Sequence, residues 1–282
     1  MQGAGNDYVY VDATSILPEN LPDLARRISD RHFGVGGDGL VIILPSDRAD
    51  FRMRMFNADG SEAQMCGNAS RCVGKFVYDR GLTDKKVITL ETLAGIKTLT
   101  LFIDKKNMVE RVRVDMGAPE LRPDLIPVRP SSSRSSDIPY VIMTHAGVSY
   151  QAIAVSMGNP HGVIFIEEKP SDFHILKAGK EFETHPAWPE KANIEFARVI
   201  SPDEVEMRVW ERGSGETLAC GTGACATAVA GIMTGRLERK VKVKLLGGVL
   251  EIEWDETSGH VFMTGPAATV AEGIYFRPAT SG

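Results

Sequence analysis

Cysteine is scarce, with four residues in a chain of 282, too few for a disulfide scaffold. Aromatic residues are also few, at 7%, and no apolar run approaches the ~18 residues of a membrane span. The first thirty residues carry Asn6, Asp7, Asp12, Glu19 and Asp23 and no long apolar stretch, so no signal peptide is expected. A basic excess is missing as well: 32 Lys and Arg stand against 37 Asp and Glu, a net charge of −5. With no basic run beyond a few residues, nucleic acid is not an expected partner, and neither is a membrane. These absences describe a cytoplasmic globular protein with reduced thiols. Glycine, by contrast, is plentiful at 28 residues. The length predicts two domains, because single cores stop growing at roughly 250–300 residues.

Along the chain, Asp7–Asp12 (DYVYVD) reads as a strand and Pro22–Arg31 as a short helix with its proline in the first turn. A glycine cluster, Gly34–Gly39, leads into the apolar strand Leu40–Leu44. Asp50–Phe56 alternates apolar and basic residues at period two, a half-buried strand. Asn68–Arg80 has helical spacing, with Val73, Phe76, Val77 and Arg80 on one face and Gly81 as a stop signal. Three strands follow between Val87 and Met116. Pro127–Pro139, rich in proline and serine, is the best candidate for a linker or exposed loop. The second half repeats the order: strands at Ile153–Met157 and Gly162–Ile166, an alternating strand at Glu204–Trp210, a helix at Ala224–Met233, and three final strands.

This repetition is an internal duplication. Cys66-Gly67-Asn68 and Cys220-Gly221-Thr222 each follow a glutamate by four residues, Glu62 and Glu216, and each opens a helix ending fifteen residues later at Gly81 or Gly235. The landmarks are separated by one spacing (220 − 66 and 235 − 81 both give 154). The same offset pairs Phe56 with Trp210, Asn57 with Glu211 and Gly39 with Asn193, and an offset of 153 pairs Gly5-Asn6 with Gly158-Asn159. Two mixed α+β halves follow.

Both repeated cysteines sit just before a helix, where free N–H groups and the positive dipole end favour a thiolate or a carboxylate. Such a position is expected to lower a thiol pKa from about 8.5 toward neutrality. Two acid/base groups on opposite faces of one ligand are what inversion of a carbon stereocentre by proton transfer requires. A cysteine among small residues is more often inert core filler, and Cys72 and Cys225, inside the helices, fit that account. Zinc is not expected, because the spacings Cys66-x5-Cys72 and Cys220-x4-Cys225 lack a Cys-x-x-Cys knuckle, as does any thioredoxin-like redox site. A cysteine hydrolase needs a histidine base. His161 lies nearest a functional-looking turn and reads better as a loop hydrogen-bonder. Gly34-Val35-Gly36-Gly37-Asp38-Gly39 matches Gly-x-Gly-x-x-Gly in form, but a helix precedes it and a strand follows, the reverse of a dinucleotide site.

The stretches GAGNDYVYVD at 3–12, FNADGSEAQMCGNASRC at 56–72, SMGNPHG at 156–162, ERGSGETLACGTGACA at 211–226 and MTGPA at 263–267 span nearly the whole chain. In them the sequence resembles the diaminopimelate epimerase family. The resemblance implies an isomerase that interconverts L,L- and meso-diaminopimelate in lysine and peptidoglycan-precursor synthesis, with no pyridoxal phosphate and no metal. It implies Cys66 and Cys220 as the two acid/base groups, and a small amino acid as substrate. It implies an α+β fold of two pseudo-symmetric domains, each a curved, mostly antiparallel sheet around a central helix. Their expected bounds are 1–117 with 266–282, and 118–265. Family members often form dimers, so a homodimer is possible.

Amides around Gly67, Asn68, Gly221 and Thr222 would hold the carboxylate beside the reacting carbon. Arg212 and Glu211 would take the distal carboxylate and ammonium, helped by the amides Asn57, Asn159 and Asn193, with Asn6 a further substrate contact. Glu211-Arg212 in isolation would be better read as a surface ion pair. Three departures stand out. The Gly-x-Gly-Asn-Asp motif starts at Gly3, where many members carry a longer lead, so a shortened first strand is expected. Some members have glutamine where this chain has Gly39, which would remove that contact. Ala69 stands where Gly-Asn-Gly is commoner, stiffening the helix start. The alternatives are a proline- or hydroxyproline-type racemase on the same two-cysteine plan and a non-catalytic thiol protein.

Overall fold

The computed structural model describes residues 1–131 and 138–276, so the Pro127–Pro139 stretch lies partly outside the described residues. The chain divides into two compact units: Met1–Val112 with the residues from Pro266 onward, and Arg113–Gly265. Among the described residues no helix is long and apolar enough to cross a membrane.

The first unit begins with β1 (Gln2–Gly3), paired antiparallel to β2 (Asn6–Asp12). Helix α1 (Leu21–Ser29) carries Pro22 in its first turn, where a missing N–H costs nothing. It buries Leu21, Leu24, Ala25 and Ile28 against Leu40, Ile42 and Phe56. β3 (Gly39–Leu44) runs parallel to β2, and Leu40–Ile43 are buried on both faces, as its apolar run requires. β4 (Phe51–Asn57) lies antiparallel to β3, with Phe51, Met53 and Met55 inward and the arginines between them turned outward. The short β5 (Glu62–Ala63) pairs with β4 and precedes α2 (Gly67–Asp79). Then β6 (Val87–Thr92) lies parallel to β4, β7 (Gly95–Ile103) turns back on it, and β8 (Val109–Gly117) leads on into the second unit.

Helix α2 packs on β1, β2 and β7. Its buried side includes Ala69, Cys72, Val73 and Val77. The face expected through Val73, Phe76, Val77 and Arg80 holds only at its valines. Phe76 is half-exposed beneath the Arg80 guanidinium, 5.3 Å from the ring centre, and Arg80 pairs with Glu272 at 2.7 Å.

The second unit comprises β9 (Tyr140–His145), β10 (Val148–Ser156), β11 (Pro160–Phe165), α3 (Ile175–Glu183), β12 (Asn193–Ser201), β13 (Glu204–Glu211), β14 (Gly215–Thr217), α4 (Gly221–Met233), β15 (Lys240–Leu245), β16 (Gly248–Trp254) and β17 (Val261–Pro266). α4 is small-residued and buried nearly all round, packed on β10, β11, β12, β15 and β16, the signature of a helix enclosed by sheet.

The duplication extends to strand register. Parallel β2/β3 sets Tyr8 opposite Gly39, and parallel β11/β12 sets His161 opposite Asn193. Antiparallel β3/β4 sets Leu40 opposite Phe56, and β12/β13 sets Ile194 opposite Trp210. Phe56 faces Glu62 as Trp210 faces Glu216, and Phe51 faces Leu90 as Val205 faces Val243. Every one of these positions recurs after 153 or 154 residues. β9, α3 and β12 were not visible in the sequence pattern, yet the last two stand where α1 and β3 shifted by 154 would fall.

Candidate active site

Cys66 is the N-cap of α2, in extended backbone, and is partly exposed. Its thiol donates to Asn6 Oδ1 at 3.4 Å. That amide is held from its other end, because Asn6 Nδ2 donates to Asp38 Oδ2 at 2.7 Å, leaving the carbonyl oxygen to face the sulfur. Asp38 also accepts the Asp7 N–H at 3.1 Å and is bridged by Arg31, which contacts Asp7 at 2.9 Å and Asp38 at 3.1 Å. Burial pushes the Asp38 carboxyl up. Asn57 closes the β4 end through Ser61 Oγ at 3.0 Å, and Asn68 is buried in the first turn of α2.

Cys220 is the N-cap of α4 in the same extended conformation, but it is only 5% exposed. Its sulfur accepts the Gly223 N–H at 3.4 Å and lies 3.4 Å from Thr222 Oγ1. The Glu211 carboxylate, at the end of β13, accepts the Thr217 hydroxyl at 2.5 Å and also bonds the Cys220 thiol. Burial first, then the Glu211 and Glu195 charges, push the Cys220 thiol well above its ordinary value. The expected lowering by the helix start is therefore overturned here. The Thr222 and Gly223 bonds act downward, but loss of water and two carboxylates outweigh them. Burial likewise raises Glu211, against the bonds from Thr217 and Cys220.

His161 is not a loop residue. It sits fully buried in β11, with Nδ1 at 2.7 Å from Glu195 Oε1 and Nε2 at 3.0 Å from Asn159 Oδ1. Asn193, at the start of β12, donates to the Pro160 carbonyl at 3.1 Å and accepts the Arg212 N–H at 2.9 Å, so it ties two segments together. Arg212 is exposed, and Nη1 donates to the Glu190 carbonyl at 2.9 Å. Gly221 and Thr222 form the first turn of α4. Cys72 and Cys225 are fully buried within the helices.

The first unit thus gathers Asn6 with Cys66, Gly67 and Asn68, and the second gathers Glu211, Cys220, Gly221 and Thr222, with Asn159 and Asn193 joined through neighbouring strands. Sequence reasoning missed Asp38, Thr217 and Glu195. Asp38 was hidden in a glycine cluster weighed only as a dinucleotide motif, and Glu195 lies in β12, which only the 154-residue offset would have exposed. At Gly39 a β-carbon would lie 2.1 Å from the Phe56 carbonyl oxygen and 2.6 Å from Tyr8 Cε1. With this backbone the position takes glycine alone.

The diaminopimelate epimerase family model matches residues 1–122 and 153–270. A diaminopimelate epimerase of Methanococcus maripaludis (strain C6) is 55% identical over 97% of both chains. One of Acetivibrio thermocellus is 54% identical over 97% of this chain and 96% of its own. Among solved structures, a PhzF-family phenazine biosynthesis protein of Bacillus anthracis shares the fold at TM-score 0.64 and 18% identity, covering 98% of this chain and 93% of its own. A hydroxyproline epimerase from Agrobacterium vitis does so at TM-score 0.64 and 15% identity, over 94% and 86%. With duplicated units, a cysteine capping each central helix and relatives of this identity over nearly the whole length, the chain belongs to the diaminopimelate epimerase family.

Proposed function

We propose that this chain interconverts L,L- and meso-diaminopimelate by moving an α-proton between two thiols, without pyridoxal phosphate or a metal, in lysine and peptidoglycan-precursor synthesis in the cytoplasm. The observation that carries the reading is Cys66 and Cys220 at the same N-cap of two equivalent helices, in a chain of this family. One sulfur, as thiolate, takes the α-proton. The C–H electron pair passes onto the carbon and its carboxylate, and the other thiol delivers its proton to the opposite face. The roles exchange with direction.

The α-carboxylate suits the N–H groups of Gly67, Asn68, Gly221 and Thr222, where developing charge is stabilised. Glu211, bonded to the Cys220 thiol, suits the ammonium on the reacting carbon better than the distal one assigned to it from sequence. Arg212 offers a planar fork for the distal carboxylate, with Asn6, Asn57, Asn159 and Asn193 as further polar contacts. A homodimer remains part of this proposal.

The test is turnover in deuterated buffer. Reduced enzyme given L,L-diaminopimelate is expected to form the meso isomer with deuterium at the inverted α-carbon. Exchange into proline or hydroxyproline instead would select the racemase alternative, and no exchange into any amino acid would sink the reading.

A further inference from the structure

The two units differ at three positions that touch one another. In the first unit α1 carries Ala25 and Ser29 and β4 carries Phe56, all buried, with Ala25 and Phe56 in one core cluster, and the Ser29 hydroxyl has no hydrogen-bond partner. In the second unit, 154 residues on, the same places hold Gly179, Glu183 and Trp210. These differences are interdependent. A β-carbon at Gly179 would lie 2.6 Å from Trp210 Cγ and 2.7 Å from its Cβ, so the indole is accommodated only because the alanine has become glycine.

The indole brings an N–H that phenylalanine lacks, and Trp210 Nε1 donates to Glu183 Oε2 at 2.8 Å. Glu183 replaces a serine too short to reach that far, and its second oxygen, Oε1, accepts the Gly213 N–H at 3.0 Å. Lys191 stands 3.6 Å from the same oxygen. Burial works to raise the Glu183 carboxyl, but the bonds from Trp210 and Gly213 and the Lys191 charge hold it below its ordinary value.

Glu183 therefore grips the chain on both sides of Glu211 and Arg212, at Trp210 and at Gly213. The gripped turn is further closed by Ser214 N–H to Glu211 O at 3.1 Å. Among the described residues the first unit shows no carboxylate gripping its turn in this way. There the corresponding turn, carrying Asn57 and Ala58, is met from α1 by Arg26 Nη1 on the Asp59 carbonyl at 3.2 Å.

We propose that Gly179, Glu183 and Trp210 form a buried strut that positions the Glu211–Arg212 turn for substrate, making Glu183 and Trp210 positioning residues for recognition of the amino-acid ligand. The inference rests on the reading of Glu211 and Arg212 as ligand contacts. A carboxylate accepting two N–H groups fixes the turn before ligand arrives, so that less ordering is left to binding. The Glu211 carboxylate keeps its separate bond from Thr217, so the loss falls through Arg212 on affinity more than on proton transfer at the thiols.

Two measurements separate this from a plain packing role. Glu183→Gln can accept only one of the two N–H bonds with its remaining carbonyl oxygen. It is expected to raise KM for L,L-diaminopimelate by about tenfold, with kcat within about twofold. Amide hydrogen exchange at Gly213, read by NMR without ligand, is expected to quicken. The triple variant Gly179→Ala, Glu183→Ser, Trp210→Phe installs a combination that already packs in the first unit. It is expected to fold and to show the same KM rise and faster Gly213 exchange.

KM within twofold of the parent in both variants would overturn the proposal. So would parallel loss of kcat and melting temperature without a KM change, since that is what mere packing predicts. If the parent chain fails to turn over L,L-diaminopimelate, the functional reading falls. The strut is then judged by Gly213 exchange alone, where an unchanged rate in Glu183→Gln overturns it.

Discussion

Cys66 and Cys220 occupy one position in a duplicated fold, yet their surroundings oppose each other. Cys66 is partly open and gives its S–H to a neutral amide whose orientation Asp38 sets. Cys220 is sealed, accepts a backbone N–H, and has two carboxylates acting on it. A helix N-terminus does not by itself decide the state of a thiol. The dipole contribution is modest and short-ranged, whereas burial and adjacent charge shift a pKa by several units. The contrast also suits two-base chemistry, in which one sulfur must be charged while the other keeps its proton.

The largest expected effect is at the two sulfurs themselves. Cys66→Ser and Cys220→Ser should each lower turnover in both directions by about two to four orders of magnitude, as removal of an acid/base group does. Near-normal rates in either variant, measured by meso isomer formation, would leave the duplicated cysteines without a shared role.

Next comes chemical reactivity in the ligand-free protein. A raised pKa and a sealed position both leave less reachable thiolate at Cys220, so at pH 8 iodoacetamide should label Cys66 first, by about tenfold or more. Glu211→Gln removes a carboxylate that holds the Cys220 thiol up, and should quicken its labelling. Peptide mass spectrometry reads both. Equal labelling of the two sulfurs would erase the contrast.

The smallest effect concerns a feature the two units share. Arg54 pairs with Glu62 as Arg208 pairs with Glu216, each through Nε at 2.7 and 2.6 Å. Arg208 alone also donates to the Pro170 and Phe173 carbonyls, at 2.8 and 3.4 Å, and is the less exposed. Glu216→Gln should therefore cost about 1–2 kcal/mol in denaturant unfolding, and Glu62→Gln no more than about 0.5 kcal/mol. The Arg54 bond holds the Glu62 carboxyl below its ordinary 4.5. Its small contribution is complete above that pH and fades as acid drives the folded carboxyl through its lower value. Equal costs for the two variants would show that the carbonyl bonds of Arg208 add nothing.

Much of this architecture is legible in the amino-acid sequence. Leu40–Leu44 announced its strand by an unbroken apolar run and Asp50–Phe56 by period-two alternation, and the repeat of Cys-Gly with its upstream glutamate located both central helices within a few residues. The stretch holding α3 and β12 was not legible. Pro170, Pro186 and Pro189 interrupt it, and Lys and Glu interleave its apolar residues, so local periodicity is weak there although tertiary packing buries Ala178 and Phe182. His161 was misjudged for a related reason: a polar residue beside glycine and proline looks like a turn, and only its buried partner Glu195 makes a strand position tolerable.

The sequence by itself determined the doubling and the two cysteines at equivalent helix starts, because hydrophobic periodicity and a repeated motif can be read directly along the chain. The tertiary structure alone decided what each sulfur meets. Asn6 reaches Cys66 across 60 residues and Glu195 bonds His161 across 34. Such encounters are made by sheet pairing between distant strands, and the burial and charge that set a thiol's chemistry exist only once that pairing has formed.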